Sequence, residues 1–262
     1  MGNDRRVNII GVPISAVNME SCVQYVKDHL EEGRGNYICV SNAHTTVMAH
    51  EDPEYWKVQA ESFLSVPDGK PLSVIGRKTF ADMDRVTGPD FMRRVFKESR
   101  EQGYRHYFYG NTEENLNLLI KAVHREYPWL KIAGSEPSIF RDMTDEEEQS
   151  LVARINAAEP DFIWVALGAP KQEKFCYRLR GRTTGVMVAV GGAFNIIAGI
   201  VPEAPQWVQD LSMEWFFRLL QEPNRLFKRY LVTNTKFIWY AITGRPAKIQ
   251  REKFTEESQY VR

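Results

Sequence analysis

The chain has 262 residues, 43% of them hydrophobic, with 34 Lys/Arg against 34 Asp/Glu for a formal net charge of zero. That length is enough for a substantial core, as one large domain or a domain with an appendage, and the charge balance excludes bulk nucleic-acid binding. Three cysteines, Cys22, Cys39 and Cys176, form no CxxC or Cys/His spacing, so they read as reduced, buried thiols of a cytosolic protein and not as a zinc site.

The N-terminus leads into a short apolar run that does not match a secretory signal. Gly2 suits myristoylation, but Arg6 stands where Ser or Thr is expected. No stretch reaches the roughly 18 apolar residues that span a bilayer, so any membrane contact is expected to be peripheral. Strands are predicted over Val7–Val12, Tyr37–Val40, Phe63–Val66, His106–Tyr109, Lys131–Ala133, Phe162–Ala166 and Val186–Val190. Helices are predicted over Met19–Leu30, Pro53–Ser62, Pro89–Glu101, Glu113–Tyr127, Asp145–Ala157 and Lys171–Leu179. Thr144 with Glu147 forms a capping box, and Pro170 suits a first helical turn. This alternation argues for βαβ units and an α/β, Rossmann-like, mainly parallel sheet over residues 1–200. From Ala204 the pattern is helical only, with Pro223 opening a helix over Asn224–Ile242, so residues 201–262 read as a helical C-terminal appendage.

Ligands of parallel α/β sheets sit beyond the carboxyl ends of the strands. Ser41-Asn42-Ala43-His44-Thr45, Pro67-Asp68-Gly69, Gly110-Asn111-Thr112 and Gly168-Ala169-Pro170-Lys171-Gln172-Glu173 all fall there. Small residues before a helix N-terminus present free backbone N–H groups, which suit the phosphates of a nucleotide or sugar nucleotide. GxGxxG and GxxxxGK[ST] are both missing, which argues against a dinucleotide enzyme and a P-loop NTPase. Asp68 is the candidate general base; the competing reading is a turn Asp capping a helix that begins near Pro71. Asp82-Met83-Asp84 looks like a metal-holding DxD motif but falls in a polar loop, where solvated carboxylates are the simpler reading. Gly191-Gly192-Ala193-Phe194-Asn195 is a close-approach loop or a tight turn.

The run from Ala204 to Leu231 interleaves Trp and Phe with Arg and Lys. From Glu214 to Lys248 seven basic residues face two acidic ones, a net of +5, which favours an anionic partner. Helical spacing puts Arg225, Arg229 and Lys236 on one stripe and Phe227, Leu231 and Ile238 on another. A cationic stripe beside an aromatic one suits an anionic headgroup or a diphosphate at a membrane. The alternative is an ordinary amphipathic helix, with Phe216, Leu219 and Leu220 packed on the body. An exposed aromatic surface also favours a homo-oligomer.

Taken in order, these loops resemble the WecG/TagA/CpsF family of bacterial glycosyltransferases. The matching segments are Ser41-Asn42-Ala43-His44, Pro67-Asp68-Gly69, Arg85-Val86-Thr87-Gly88-Pro89-Asp90, Gly110-Asn111, Leu167 to Glu173, Val190 to Phe194, and Ala204-Pro-Gln-Trp207 through Arg229-Tyr230. The resemblance implies an inverting, metal-independent transferase. It would move a sugar, N-acetylmannosamine in several members, from a UDP-sugar donor to a polyprenyl-diphosphate-linked acceptor such as N-acetylglucosamine-diphosphate-undecaprenol. The setting would be teichoic acid or surface polysaccharide synthesis at the inner face of the plasma membrane. It also implies that Asp68 is the catalytic base, that Gln172 and Arg85 belong to the substrate pocket, and that Asn42 lies in its strand-end loop. Arg218, Arg225 and Arg229 match basic residues of an appendage that closes over the site and meets the lipid diphosphate. Gly110, Asn111, Gly168 and Gly192 complete the expected donor site. Two positions depart from the family's pattern. Val40 stands where Thr is frequent, so that a hydroxyl contact is either missing or supplied by Ser41, and Asn195 stands where Asp is frequent. Three alternatives stay open: the same chemistry on another UDP-hexose or uronic acid for exopolysaccharide assembly, a nucleotide-dependent oxidoreductase or other Rossmann-like enzyme, which the missing fingerprint disfavours, and a non-catalytic peripheral membrane protein of an envelope assembly.

Overall fold

The computed structural model describes residues 5–205, 207–208 and 213–249, with the side chains of residues 224–226 and 229 outside that set. Its first element corrects the single strand expected over Val7–Val12. The chain reverses at Ile10-Gly11, both at positive φ (47° and 82°), and β1 (Arg6–Ile9) pairs antiparallel with β2 (Val12–Ser15). Two successive left-handed residues make the tight turn that matches strand twist. Ile is a rare occupant of that conformation, so the usual Asn-Gly signal is missing from the sequence.

Among the described residues, six strands form one parallel sheet: β3 (Tyr37–Ser41), β4 (Leu64–Pro67), β5 (Arg105–Gly110), β6 (Lys131–Glu136), β7 (Phe162–Ala166) and β8 (Val186–Ala189). Their spatial order is β4-β3-β8-β7-β5-β6. Between them run α1 (Met19–Asp28), α2 (Leu30–Gly33), α3 (Ala43–Glu51), α4 (Pro53–Ala60), α5 (Lys70–Gly76), α6 (Gly88–Gln102), α7 (Glu113–Glu126), α8 (Asp145–Ala157), α9 (Lys171–Leu179) and α10 (Ala193–Ile197). The α/β expectation holds. Strand alternation divides the core in two. Ile38, Val40, Phe108, Trp164 and Val188 pack with α1, α6, α7 and α10. Tyr37, Cys39, Tyr109, Val165 and Ala189 pack with α3, α4, α8, α9 and the hairpin. All three cysteines are free and buried.

Helices α3 and α5 escape the periodicity reading. α3 reads Ala-His-Thr-Thr-Val-Met-Ala-His-Glu and has no clean polar face, because the body covers one side and a C-terminal helix another. That helix, α12 (Pro223–Thr243), follows the short α11 (Glu214–Gln221). Thr233 and Phe237 are buried, Lys236 Nζ lies 2.8 Å from Glu51 Oε1, and the Tyr240 hydroxyl donates to the same oxygen at 2.7 Å. The Tyr240 ring stacks on His50 at 3.8 Å. Lys236 therefore faces the body, which corrects its place in an outward cationic stripe. Outward instead point Phe227, Leu231, Ile238, Trp239 (59% exposed) and Ile242 (79% exposed). Phe216 and Leu220 (65% exposed) also face solvent, contrary to packing on the body. No described helix is long and apolar enough to cross a membrane.

Candidate active site

The loops after β3 and β7 lead to helices on one face of the sheet, while those after β8 and β5 lead to helices on the other. Where successive connections diverge, the carboxyl edge opens into a crevice. Asp68 lies at its β4 end. Its N–H donates to Ser41 O at 2.6 Å, and the Val86 N–H donates to Pro67 O at 2.8 Å, which brings Arg85 beside it. Gly69, at φ 110°, takes a conformation that L side chains avoid and occupies the cap position of α5, with no side-chain cap bond. Asp68 thus does not cap that helix. Its half-buried carboxylate accepts no hydrogen bond among the described residues. Desolvation pushes its pKa up to about 6, against the pull of Arg218 and Arg85 and with a small push from Asp90. A carboxylate of that basicity is ionised near neutrality yet still holds a proton well.

Arg218 comes from α11. It makes no salt bridge among the described residues, and its guanidinium approaches Gly192 as well as Asp68. Arg85 forms a close ion pair with Glu214 of the same helix, and Gln221 Nε2 donates to Pro202 O at 3.2 Å. Two side chains therefore pin α11 over the strand ends. Arg225 and Arg229 fall on the first turns of α12, and their side chains lie outside the described residues. Glu214 stands in the aromatic run that carries the family resemblance, one helical turn before Arg218.

The glycine loops after β5, β7 and β8 are built from backbone. Gly110 has φ 122°, and a Cβ there would meet Ala166 O at 2.4 Å, so only glycine lets β5 and β7 end this close together. Asn111 is fully engaged: its Nδ2 donates to Asn195 Oδ1 at 2.6 Å, and its Oδ1 accepts from Thr112 N and Asn115 Nδ2. Asn195, the departure from the family pattern, thus ties α10 to the β5 loop as an acceptor. Gly168 borders open space. Gln172 is buried, and its Oε1 accepts from Gly168 N at 3.1 Å while its Nε2 donates to Glu173 Oε1 at 2.9 Å and Ala189 O at 3.3 Å. Gln172 therefore shapes the pocket wall from within. Asn42 spends its Oδ1 capping α3 through His44 N and Thr45 N, leaving its amide NH2 unpaired among the described residues.

Ser41 does not supply the hydroxyl missing at Val40. Strand alternation turns Ser41 to the opposite face, where its Oγ donates to Gln59 Oε1 at 2.6 Å. The Asp82-Met83-Asp84 carboxylates pair with Arg5 and Arg77, and Met83 is buried between them, as expected of a structural loop.

Strands about 4.8 Å apart put Asp68 roughly 10 Å from the β8 loop and roughly 15 Å from the β7 loop. The Asp68 carboxylate stands at one end of that span and the Gly168 and Gly192 loops at the other. The sequence profile described as "Glycosyl transferase WecG/TagA/CpsF family" matches residues 7–251. A Bacillus subtilis (strain 168) protein named N-acetylglucosaminyldiphosphoundecaprenol N-acetyl-beta-D-mannosaminyltransferase is 31% identical over 227 residues, 85% of this chain and 86% of the relative. A Bacillus spizizenii protein of the same name is 28% identical over 199 residues, 75% of this chain and 76% of the relative. Matched over residues 7–251 and 31% identical to a relative over 85% of its length, the chain belongs to the WecG/TagA/CpsF family of glycosyl transferases.

Proposed function

We propose that this glycosyltransferase moves N-acetylmannosamine from a UDP-sugar to N-acetylglucosamine-diphosphate-undecaprenol, with inversion at the anomeric carbon and without a metal. The two named relatives support the sugar and the acceptor. The observation that carries the mechanism is Asp68: a desolvated carboxylate that accepts no hydrogen bond among the described residues, facing Arg218 and Arg85. As the acceptor hydroxyl attacks the anomeric carbon, Asp68 takes its proton. The sugar–phosphate bond breaks on the opposite face, and UDP leaves with its electron pair. Arg218 and the backbone N–H groups of the Gly168 and Gly192 loops offset the growing charge on the diphosphate. Among the described residues Arg218 makes no salt bridge, whereas Arg85 is held by Glu214.

The outward apolar face of α11 and α12 supports peripheral attachment to the cytoplasmic side of the plasma membrane, where a lipid-linked acceptor resides. The test is a panel of UDP-sugars with a synthetic N-acetylglucosamine-diphosphate-lipid, run with and without EDTA, with product anomers read by NMR. UDP-N-acetylmannosamine is expected to be the preferred donor and the product to be the inverted anomer, with EDTA leaving the rate unchanged. Transfer from another UDP-hexose alone overturns the choice of sugar, a retained anomer overturns the mechanism, and loss of rate in EDTA overturns metal independence.

A further inference from the structure

Beneath the crevice runs a set of polar side chains that neither the base nor the diphosphate clamp uses. Gln59, Tyr55, Glu173, Ser41 and Ser65 are each 1% exposed or less, and they lie on the face otherwise filled by apolar core. Starting at the donor loops, Gly168 N–H donates to Gln172 Oε1 (3.1 Å) and Gln172 Nε2 donates to Glu173 Oε1 (2.9 Å). Gly191 packs on the same Gln172 amide. The other carboxyl oxygen of Glu173 is buried without a hydrogen bond in the described geometry, beside the Tyr55 hydroxyl. That hydroxyl already accepts from Gln59 Nε2 at 3.1 Å, so its own proton has this oxygen to go to. Gln59 Oε1 then accepts from Ser41 Oγ (2.6 Å) and Ser65 Oγ (3.0 Å), and the two serine oxygens lie 2.8 Å apart. Ser41 O accepts the Asp68 N–H.

The chain of contacts therefore begins at the β7 and β8 loops and ends at the backbone that carries the base. Burying this many polar groups is costly unless each is satisfied, and an apolar filling of equal volume would serve stability as well or better. What a satisfied buried network adds is a single relative placement of the segments it joins. We propose that Tyr55 and Gln59 are positioning residues for the transfer, coupling the placement of the Asp68 loop to that of the Gly168 and Gly191 loops through Glu173 and Gln172. The proposal rests on the transferase reading for its kinetic consequence, though not for the coupling itself.

The test cuts the chain at its middle with Tyr55→Phe, which removes one oxygen between Gln59 and Glu173. Two readouts are taken on the full chain. In transfer assays kcat is expected to fall at least fivefold while the KM values for UDP-N-acetylmannosamine and the lipid acceptor stay within twofold, since the binding groups remain and only their relative placement loosens. In native-state hydrogen exchange without substrate, the Asp68 and Gly168 amides are both expected to exchange faster. Unchanged kcat with a lowered melting temperature overturns the positioning role. Faster exchange confined to residues around Tyr55 overturns the coupling. Should Tyr55→Phe fail to fold, Ser41→Ala cuts the same chain between Gln59 and the backbone that carries Asp68 and is judged by the same two readouts. An inactive wild type with coupled exchange removes the transferase reading and leaves the network standing.

Discussion

Replacing Asp68 by Asn is expected to lower activity and raise stability at once. The carboxylate sits at about 6 in the folded chain against an ordinary value of 3.8, chiefly because burial disfavours its charge. That difference of about two pH units, at about 1.4 kcal/mol each, amounts to about 3 kcal/mol. A raised carboxylate pKa means the native state holds the proton more tightly than the unfolded one, so wild-type stability falls as pH rises from 4 to 6. Asn carries no such charge. The advantage of Asp68→Asn is therefore expected to be near zero below pH 4 and to reach about 3 kcal/mol above pH 6, read from urea unfolding at several pH values. Loss of a general base lowers kcat by roughly 10²- to 10⁴-fold, measured as UDP release with the lipid acceptor. A variant less stable than wild type at pH 7.5, or one retaining a third of the wild-type rate, would refute the assignment of a desolvated base.

Arg218→Gln removes the cation that most favours ionised Asp68, so the acid limb of kcat/KM, expected near pH 6 in the wild type, is expected to move to higher pH. The same change lowers kcat/KM by roughly a hundredfold if Arg218 stabilises the departing diphosphate, and an unmoved limb would separate Arg218 from the base. Gly110→Ala forces a side chain into φ 122° and within 2.4 Å of Ala166 O; about 2 kcal/mol of destabilisation, a fall of roughly 4–8 °C in melting temperature, is expected by calorimetry. Leu231→Glu combined with Ile238→Glu changes exposed positions only. The melting temperature should hold, while sedimentation with anionic vesicles falls more than tenfold, because two apolar anchors are lost and two like charges face the lipid.

Much of the site was legible because strand ends are local events. An apolar run followed by Pro67-Asp68-Gly69 or Gly110-Asn111 announces a loop at a sheet edge, and the ordered set of such loops sufficed to identify the family. The readings that changed were those set by partners distant in sequence. The Ser41 hydroxyl turns from the crevice because Gln59 and Ser65, 18 and 24 residues on, hold it. Lys236 turned inward because Glu51, 185 residues away, waits for it on α3.

The sequence by itself determined the alternation of strands and helices, the parallel sheet, the glycine loops at its carboxyl edge and the aromatic, basic character of the last helices. Period, turn chemistry and composition are written within a few residues of each position. Only the tertiary structure decided that Arg85 is held by Glu214 while Arg218 stays available, and that Ser41 points away from the crevice into a buried polar chain. It also decided that α12 lays its lysine on α3 and its apolar side outward. Hydrogen bonds and ion pairs form between groups that the fold brings within about 3 Å, and no local pattern states which two those will be.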